Sequence, residues 1–561
     1  MQKQTIFVIL LFGLYMMNFS MVKAESLPKK TLNTPNILFV FADDWGRYAS
    51  IYSKFKTDKS LNSILSTPAI DRMAREGAIF TNAFVPSPSC TPCRSSVLSG
   101  RYFWQTRLGA ILQSAVWDDK IPTFPRILEN AGYHTGTTYK VWGPGVSAGV
   151  MPQGTPEHDF NAVGQKFNSF SEEVTKNIVA GKTLEDSKRL LYEEVRGNFI
   201  DFMKARKEAK PFLYWWGPTN THRTWEKGSG LKLWGINPDK LKGLLPNFFP
   251  DVHEVREDVA DYLGECMALD HGIAVLVKEL EIRGELDNTL IVLSGDHGIP
   301  GFPRAKCNLY DIGCEVSLIA RLPGTIPAGH IIEDYTNIMD LAPTFLEAAH
   351  CDPEPSMSGK SLWSRMTGKE QPKVNNWVIT GRERHVATAR EKNLPYPQRA
   401  IRTPEFLYIY NFEPDRWPMG SPNGMEDFKA PAMELKELEK NTRAVYPDMD
   451  ASPTKAWMIH HRNEKLVSPL FSLAFDKRPQ EELYEIRNDP HHMNNIANNP
   501  AFLGIKKQLH ELLMGELAKH KDPRLCDTNV RYETSPYTDV LDHHGPKTQG
   551  QAIERLSKSG D

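Results

Sequence analysis

Residues 35–44 read Pro-Asn-Ile-Leu-Phe-Val-Phe-Ala-Asp-Asp, an unbroken apolar run from Ile37 to Ala42 closed by the adjacent carboxylates Asp43 and Asp44. A continuous run, unlike an alternating one, suits a strand covered on both faces, as in a parallel sheet. Asn288-Thr-Leu-Ile-Val-Leu-Ser-Gly295 has the same texture and ends in Asp296-His297-Gly298. Shorter strands are expected at His134–Tyr139 and at Phe212–Trp216. Between them lie helical signals. Thr67-Pro68 starts a helix through Arg75 that is closed by Gly77, and Thr123 starts another ending near Gly132. A long helix is expected over Val255 to Arg283, with Leu263, Met267, Ile273, Leu276 and Leu280 among its apolar positions. Strands alternating with helices argue a doubly wound α/β fold, which binds ligands at the carboxyl ends of its strands. Both acidic pairs sit at such ends.

The chemistry is concentrated in Cys90-Thr-Pro-Cys-Arg-Ser-Ser-Val-Leu-Ser-Gly-Arg101. A thiol alone serves acyl transfer or a disulfide equally well. The full spacing C-x-P-x-R-x-x-x-L-x-G-R resembles the signature of the type I sulfatases, in which the first cysteine is oxidised to formylglycine and its hydrated aldehyde is the nucleophile. The resemblance implies an alkaline-phosphatase-like doubly wound mixed sheet flanked by helices, with a smaller C-terminal α+β domain. Asp-Asp alone reads as a helix cap or loop surface, and Asp-His-Gly is a short string. Three carboxylates and an imidazole near an oxygen nucleophile, however, suit a hard divalent cation. By the resemblance, Asp43, Asp44, Asp296, His297 and modified Cys90 bind one calcium ion.

Sulfuryl transfer needs fixed positive charge around the sulfate oxygens. Arg94 lies one helical turn beyond Cys90; a merely solvated arginine there would oppose the positive end of the helix dipole. In the family this arginine stabilises the hydrate, Lys140 and Lys306 match two family lysines, and His222 matches the sulfate-binding histidine. His222 and Lys306 are then expected to protonate the leaving oxygen, a role an imidazole suits near neutral pH. Trp142 departs from the pattern: relatives carry there a histidine that removes a proton so that sulfate is expelled, and indole accepts none.

The resemblance covers nearly all the mature chain and is closest to the branch related to heparan N-sulfatase. It rests on Phe39-Val-Phe-Ala-Asp-Asp-Trp-Gly-Arg-Tyr48, Gly381-Arg-Glu-Arg-His385, Tyr396-Pro-Gln-Arg-Ala-Ile-Arg-Thr403 and Glu481-Glu-Leu-Tyr-Glu-Ile-Arg-Asn-Asp-Pro490. It implies hydrolysis of sulfate esters on a sulfated polysaccharide or its oligosaccharides, with an algal polymer such as ulvan favoured. The alternatives are an N-sulfoglucosamine sulfohydrolase, a phosphoester hydrolase of the same superfamily, and a catalytically dead carbohydrate-binding homologue. Arg382, Arg384 and His385 are expected either to grip the sugar's carboxylate or further sulfates, or to form a salt-bridged inter-domain loop. The implied partners are the carbohydrate and a formylglycine-generating or anaerobic sulfatase-maturing enzyme.

At 561 residues the chain exceeds one small core, so a large domain plus a smaller one is expected. A formal charge of −2, with 24% charged residues and no long basic run, gives no footprint for nucleic acid. An anionic substrate must therefore be held by a local pocket. Lys3, the apolar run Ile6 to Tyr15 and Val22-Lys23-Ala24 read as a signal peptide over residues 1–24, and hence as export to the periplasm or medium. The run is interrupted before it reaches spanning length, and no integral membrane partner is implied. The expected catalytic domain covers 25–370 and the smaller one 371–545, with strands at Trp377–Gly381, Ala400–Asn411 and Leu483–Arg487 and a helix over Phe502–Lys519. Residues 546–561 read as a frayed polar tail. Seven cysteines are too scattered for a zinc site, and no pairing is assigned.

Overall fold

The computed structural model describes residues 34–55, 60–207, 210–369, 376–541 and 545–560. The expected signal peptide and the expected boundary at 370/371 lie outside the described residues.

Seven strands build the main sheet: β1 (Asn36–Ala42), β2 (Ala78–Phe80), β3 (His134–Tyr139), β4 (Phe212–Gly217), β5 (Thr289–Gly295), β6 (Leu318–Arg321) and β7 (His330–Ile332). Their order is β7-β2-β6-β5-β1-β4-β3. All pairs are parallel except those of β6, which runs against both β2 and β5. β1 sits between β4 and β5, with Ile37 opposite Leu213 on one side and Leu290 on the other.

This placement explains the unbroken apolar run. Ile37, Phe39 and Phe41 enter one core with Phe124, Trp215 and Phe345, while Leu38, Val40 and Ala42 enter a second with Phe199, Leu263 and Leu276. Alternation along a strand thus supplies both faces, and both need apolar side chains. Phe39 alone meets Trp215 edge-on at 4.7 Å between centroids and Phe345 at 5.0 Å. The first face is covered by α1's successors α2 (Cys90–Ser99) and α3 (Phe124–Asn130), α1 being Pro68–Arg75. The second is covered by α4 (Leu184–Ala205) and α5 (His253–Ile282). α4, capped by the Thr183 side chain accepting from the Asp186 amide, adds a helix that the sequence patterning above does not single out.

A second sheet, β8 (Val378–Arg382), β9 (Gln398–Arg402), β10 (Phe406–Asn411) and β11 (Glu481–Glu485), is antiparallel throughout in that order. The stretch expected as one strand, Ala400–Asn411, is instead part of a hairpin. Thr403 donates its amide to the Phe406 carbonyl (2.9 Å), and Pro404, which has no N–H to give a ladder, occupies the turn. β11 starts two residues earlier than expected because Glu481 and Glu482 are used: Glu482 accepts from Asn411 (2.8 Å) and Tyr310 (2.7 Å). Helix α6 (Leu503–Lys519) follows, burying Leu509, Leu513 and Leu517.

The expected frayed tail is corrected. Residues Gln549–Lys558 form helix α7, capped by Thr548. Its Ala552 and Leu556 are buried, and Arg555 pairs with Asp539 (3.0 Å) and donates to the Pro536 and Ser114 carbonyls. One apolar i,i+4 pair and a buried guanidinium dock a segment whose composition is otherwise polar. All seven cysteines are free thiols. Among the described residues no helix is long and apolar enough to cross a membrane.

Candidate active site

β1 delivers Asp43 and Asp44, and β5 delivers Asp296 and His297, at neighbouring strand ends. Successive residues of a strand face opposite ways. Asp44 escapes that rule with φ of 58°, a left-handed conformation that aspartate tolerates, so both carboxylates turn into one hollow. The two ends are latched together: the Asp44 amide donates to Asp296 Oδ1 (2.8 Å) and the Asp296 amide to the Ala42 carbonyl (3.1 Å). Gly295 permits the approach, since a Cβ there would lie 1.9 Å from the Trp45 carbonyl oxygen.

Cys90 is the first residue of α2, which is buried along its whole length and closed by Gly100 at φ 64°. The thiol faces the same hollow, with Sγ 3.3 Å from His297 Nε2. Four residues on, one turn along the same face, Arg94 lies fully buried. Its Nε donates to Asp296 Oδ2 (2.8 Å), its Nη2 to Asp43 Oδ1 (3.1 Å) and its Nη1 to the Lys140 and Val141 carbonyls (both 3.1 Å). Arg94 therefore braces the two carboxylates from beneath. Lys140, just past β3, donates to both Asp43 oxygens at 2.8 Å. Lys306 Nζ reaches Asp44 Oδ2 (2.9 Å), and His222 Nε2 lies 3.9 Å from that oxygen with its side chain 34% exposed. The fold thus gathers Asp43, Asp44, Cys90, Arg94, Lys140, His222, Asp296, His297 and Lys306 around one point.

Electrostatics follow from burial. Burial works to raise the Asp43 carboxyl, but Lys140 and Arg94 overcome it and hold it well below the usual range. Burial, then Asp43, pushes the Cys90 thiol well up, the reverse of a reactive thiolate site. Lys306 is held well above its ordinary value: burial opposes, but Asp44 and Asp450 prevail.

A cation fits this donor set. The ligand atoms of Asp44, Cys90 and His297 lie within 4.8 Å of one another, as do those of Asp43, Cys90 and Asp296, and of Asp43, Asp44 and His222. Among the described residues Asp44 Oδ1 is buried and makes no hydrogen bond, its 3.2 Å neighbour being His297 Nε2, itself a candidate ligand, and such an oxygen is one a hard ion satisfies. Three carboxylates are matched at this floor by three cationic side chains, so a divalent ion would leave the hollow positive.

Arg382, expected either at the substrate or in a salt-bridged loop, is buried against Asp448 (2.9 Å) and the Cys307 and Pro418 carbonyls, in keeping with the second alternative. Arg384 donates to the Asp539 and Gln113 carbonyls (3.0 and 2.9 Å). The terminal nitrogens of both guanidinium groups are spent on protein acceptors, which is the inter-segment strut of the second alternative. His385 is buried too, its Nδ1 2.8 Å from the hydroxyl of Ser89, the residue before Cys90, and burial pushes its imidazole down to about 3. Trp142 is a core residue: its indole N–H donates to Ser95 Oγ (2.8 Å) and its ring meets Trp117 edge-on. One acid escaped the sequence reading. Asp450 Oδ2 lies 3.3 Å from Lys306 Nζ, and nothing in Pro447-Asp-Met-Asp450 announces this, because the pairing is made only by the tertiary fold.

The sulfatase family model matches residues 35–351. Human N-sulphoglucosamine sulphohydrolase is 26% identical over 528 residues, covering 88% of this chain and 91% of its own. An ulvan-active sulfatase of Formosa agariphila is 23% identical over 521 residues, covering 88% of this chain and 77% of its own. A solved structure described as BT4656 with its substrate D-glucosamine-2-N,6-O-disulfate has a TM-score of 0.56 at 18% identity, covering 88% of this chain and 100% of that one. That likeness concerns the fold, which is the alkaline-phosphatase-like α/β architecture of such sulfatases.

Proposed function

Since the chain belongs to the sulfatase family, in the branch related to N-sulphoglucosamine sulphohydrolase, and is a sulfuric ester hydrolase, we propose that it removes sulfate from a sulfated polysaccharide or its oligosaccharides. The observation that carries this reading is the meeting of Cys90 with three carboxylates and three cations in one buried hollow. An ulvan-type algal polymer is the favoured substrate, supported by the ulvan-active relative. The second reading, an N-sulfated glucosamine, is supported by the human relative's coverage of nearly its full length.

Converted to formylglycine, position 90 would supply a hydrated-aldehyde nucleophile, and a divalent cation, calcium on the family pattern, would supply Lewis-acid charge held by Asp43, Asp44, Asp296 and His297. The chain's other residues divide the remaining work. Arg94 and Lys140 fix the Asp43 and Asp296 carboxylates and hold positive charge beneath the sulfate. Lys306 and the half-exposed His222 stand on one side of Asp44, placed to hold protons at the leaving oxygen. These cations must grip hardest as charge moves onto that oxygen, since tighter ground-state binding alone would not raise the rate. The protein is proposed to be exported through residues 1–24 and matured at Cys90 by a formylglycine-generating or anaerobic sulfatase-maturing enzyme.

The test is to incubate aldehyde-bearing protein, verified by mass spectrometry of the Cys90 peptide, with ulvan oligosaccharides and with glucosamine N-sulfate, and to measure free sulfate by ion chromatography. Release from the first supports the ulvan-type reading, and release from the second alone supports the N-sulfated one. Release from neither would sink the substrate class.

A further inference from the structure

We propose that Asp450 reads the substrate: its carboxylate accepts a hydrogen bond from a free hydroxyl or amine of the sugar beside the scissile sulfate and turns away a second anionic substituent there. This rests on the reading of Lys306 and His222 as the leaving-group side of the site. Asp450 lies between β10 and β11, outside the metal cluster, and brings its Oδ2 to 3.3 Å from Lys306 Nζ.

The loop that presents it is held from several directions. Asp448 accepts from the Val386 amide (2.9 Å), Arg382 (2.9 Å) and Arg390 (2.6 Å). Lys455 donates to the Tyr446 (3.2 Å) and Met449 (2.7 Å) carbonyls. On the other flank the Ala451 amide donates to Thr442 Oγ1 (2.9 Å), and Ser452 Oγ ties the chain to the Gly301 carbonyl (2.7 Å) in the segment leading to Lys306. None of these bonds uses the Asp450 side chain. Its buried Oδ2 is paired with the Lys306 ammonium, while the side chain as a whole keeps 19% exposure.

A carboxylate offers more acceptor positions than one ammonium fills, so the exposed part of Asp450 on this rigid loop can take a further donor. A second sulfate or a uronate at that point would face like charge at contact, a heavily penalised arrangement. The donor that fits is neutral or cationic: a ring hydroxyl or an amine. The rival account, a mere counter-ion for Lys306, predicts the same loss on every sulfate ester.

The two accounts separate on two kinds of probe. Matured wild type, Asp450→Asn and Asp450→Ala are assayed on 4-nitrophenyl sulfate, which has no hydroxyl or amine near the ester, and on ulvan oligosaccharides and glucosamine N-sulfate. Circular-dichroism melts identify a misfolded variant, and the near-isosteric asparagine carries the test if alanine fails. The expected result is a loss in kcat/KM about tenfold or more greater on the saccharide than on the aryl sulfate, with the excess chiefly in KM. Equal losses on both probes, or no loss on either, overturn the assignment. Wild-type protein that cleaves the aryl sulfate but neither saccharide sinks the substrate reading instead, and this inference with it.

Discussion

Replacing Asp448 with asparagine tests whether the second sheet is locked to the site by charge. Asp448 is fully buried and receives two guanidinium groups on Oδ2, from Arg382 at 2.9 Å and Arg390 at 2.6 Å, while Oδ1 accepts from the Val386 amide. Asparagine can keep the Val386 bond but turns an NH₂ group toward two cations. Removing one partner of a buried charge cluster costs about 3–5 kcal/mol, because the others stay buried and unpaired. With an unfolding entropy of ~2.1 cal/mol/K per residue over a unit of this size, that is a fall of about 3–5 °C in Tm. Calorimetry at neutral pH measures it.

The pH dependence gives an independent check. Burial alone would raise the Asp448 carboxyl, but Arg390 and Arg382 hold it down at about 2. A folded value depressed below the unfolded one stabilises above the unfolded pKa and is lost as pH falls through the folded one. Wild type should therefore lose roughly 2 kcal/mol of stability between about pH 4 and pH 2 from this group, a slope the variant lacks. A Tm change under about 1 °C, or an unaltered acid slope, would refute the reasoning.

Three further outcomes are expected. Lys306→Ala should lower kcat by roughly 10²–10⁴ while leaving the fold intact, measured by sulfate release and circular dichroism. A chelator should abolish activity of the matured protein and calcium should restore it; full activity in calcium-free, chelated buffer would remove the metal from the account. Ending the chain after Gly545 should cost about 2–4 kcal/mol, from lost burial of Ala552 and Leu556 and from the Arg555 bonds, read as a lower urea midpoint; an unchanged midpoint would return the tail to the frayed state.

What could be read in advance was whatever is local. β1 and β5 are legible because double-sided burial demands an unbroken apolar run, and α5 because Leu263, Met267, Ile273, Leu276 and Leu280 mark a long helical segment. Cys90 and Arg94 are one turn apart, and the acidic pairs terminate strands, so their chemistry is written in short strings. Asp450 belongs to no such string, and its role appears only when a loop after β10 folds over Lys306. Arg382 and Arg384 stay ambiguous in the sequence for the same reason: a charged segment looks alike whether its guanidinium groups meet substrate or buried carbonyls. α7 was hidden by composition, because two small apolar contacts and one arginine suffice to dock it.

β1 touches both β4 and β5, so Ile37 must find Leu213 and Leu290, 176 and 253 positions further along the chain, before Asp43, Asp44 and Asp296 share a hollow. Contacts of such long range close late. A ribosome that has not yet released β5 holds a polypeptide with no catalytic centre, and any fragment severed before Thr289 is inert however well its early helices form. Activity in this molecule is therefore a readout of a finished sheet, and its recovery after unfolding should lag behind the return of helical signal.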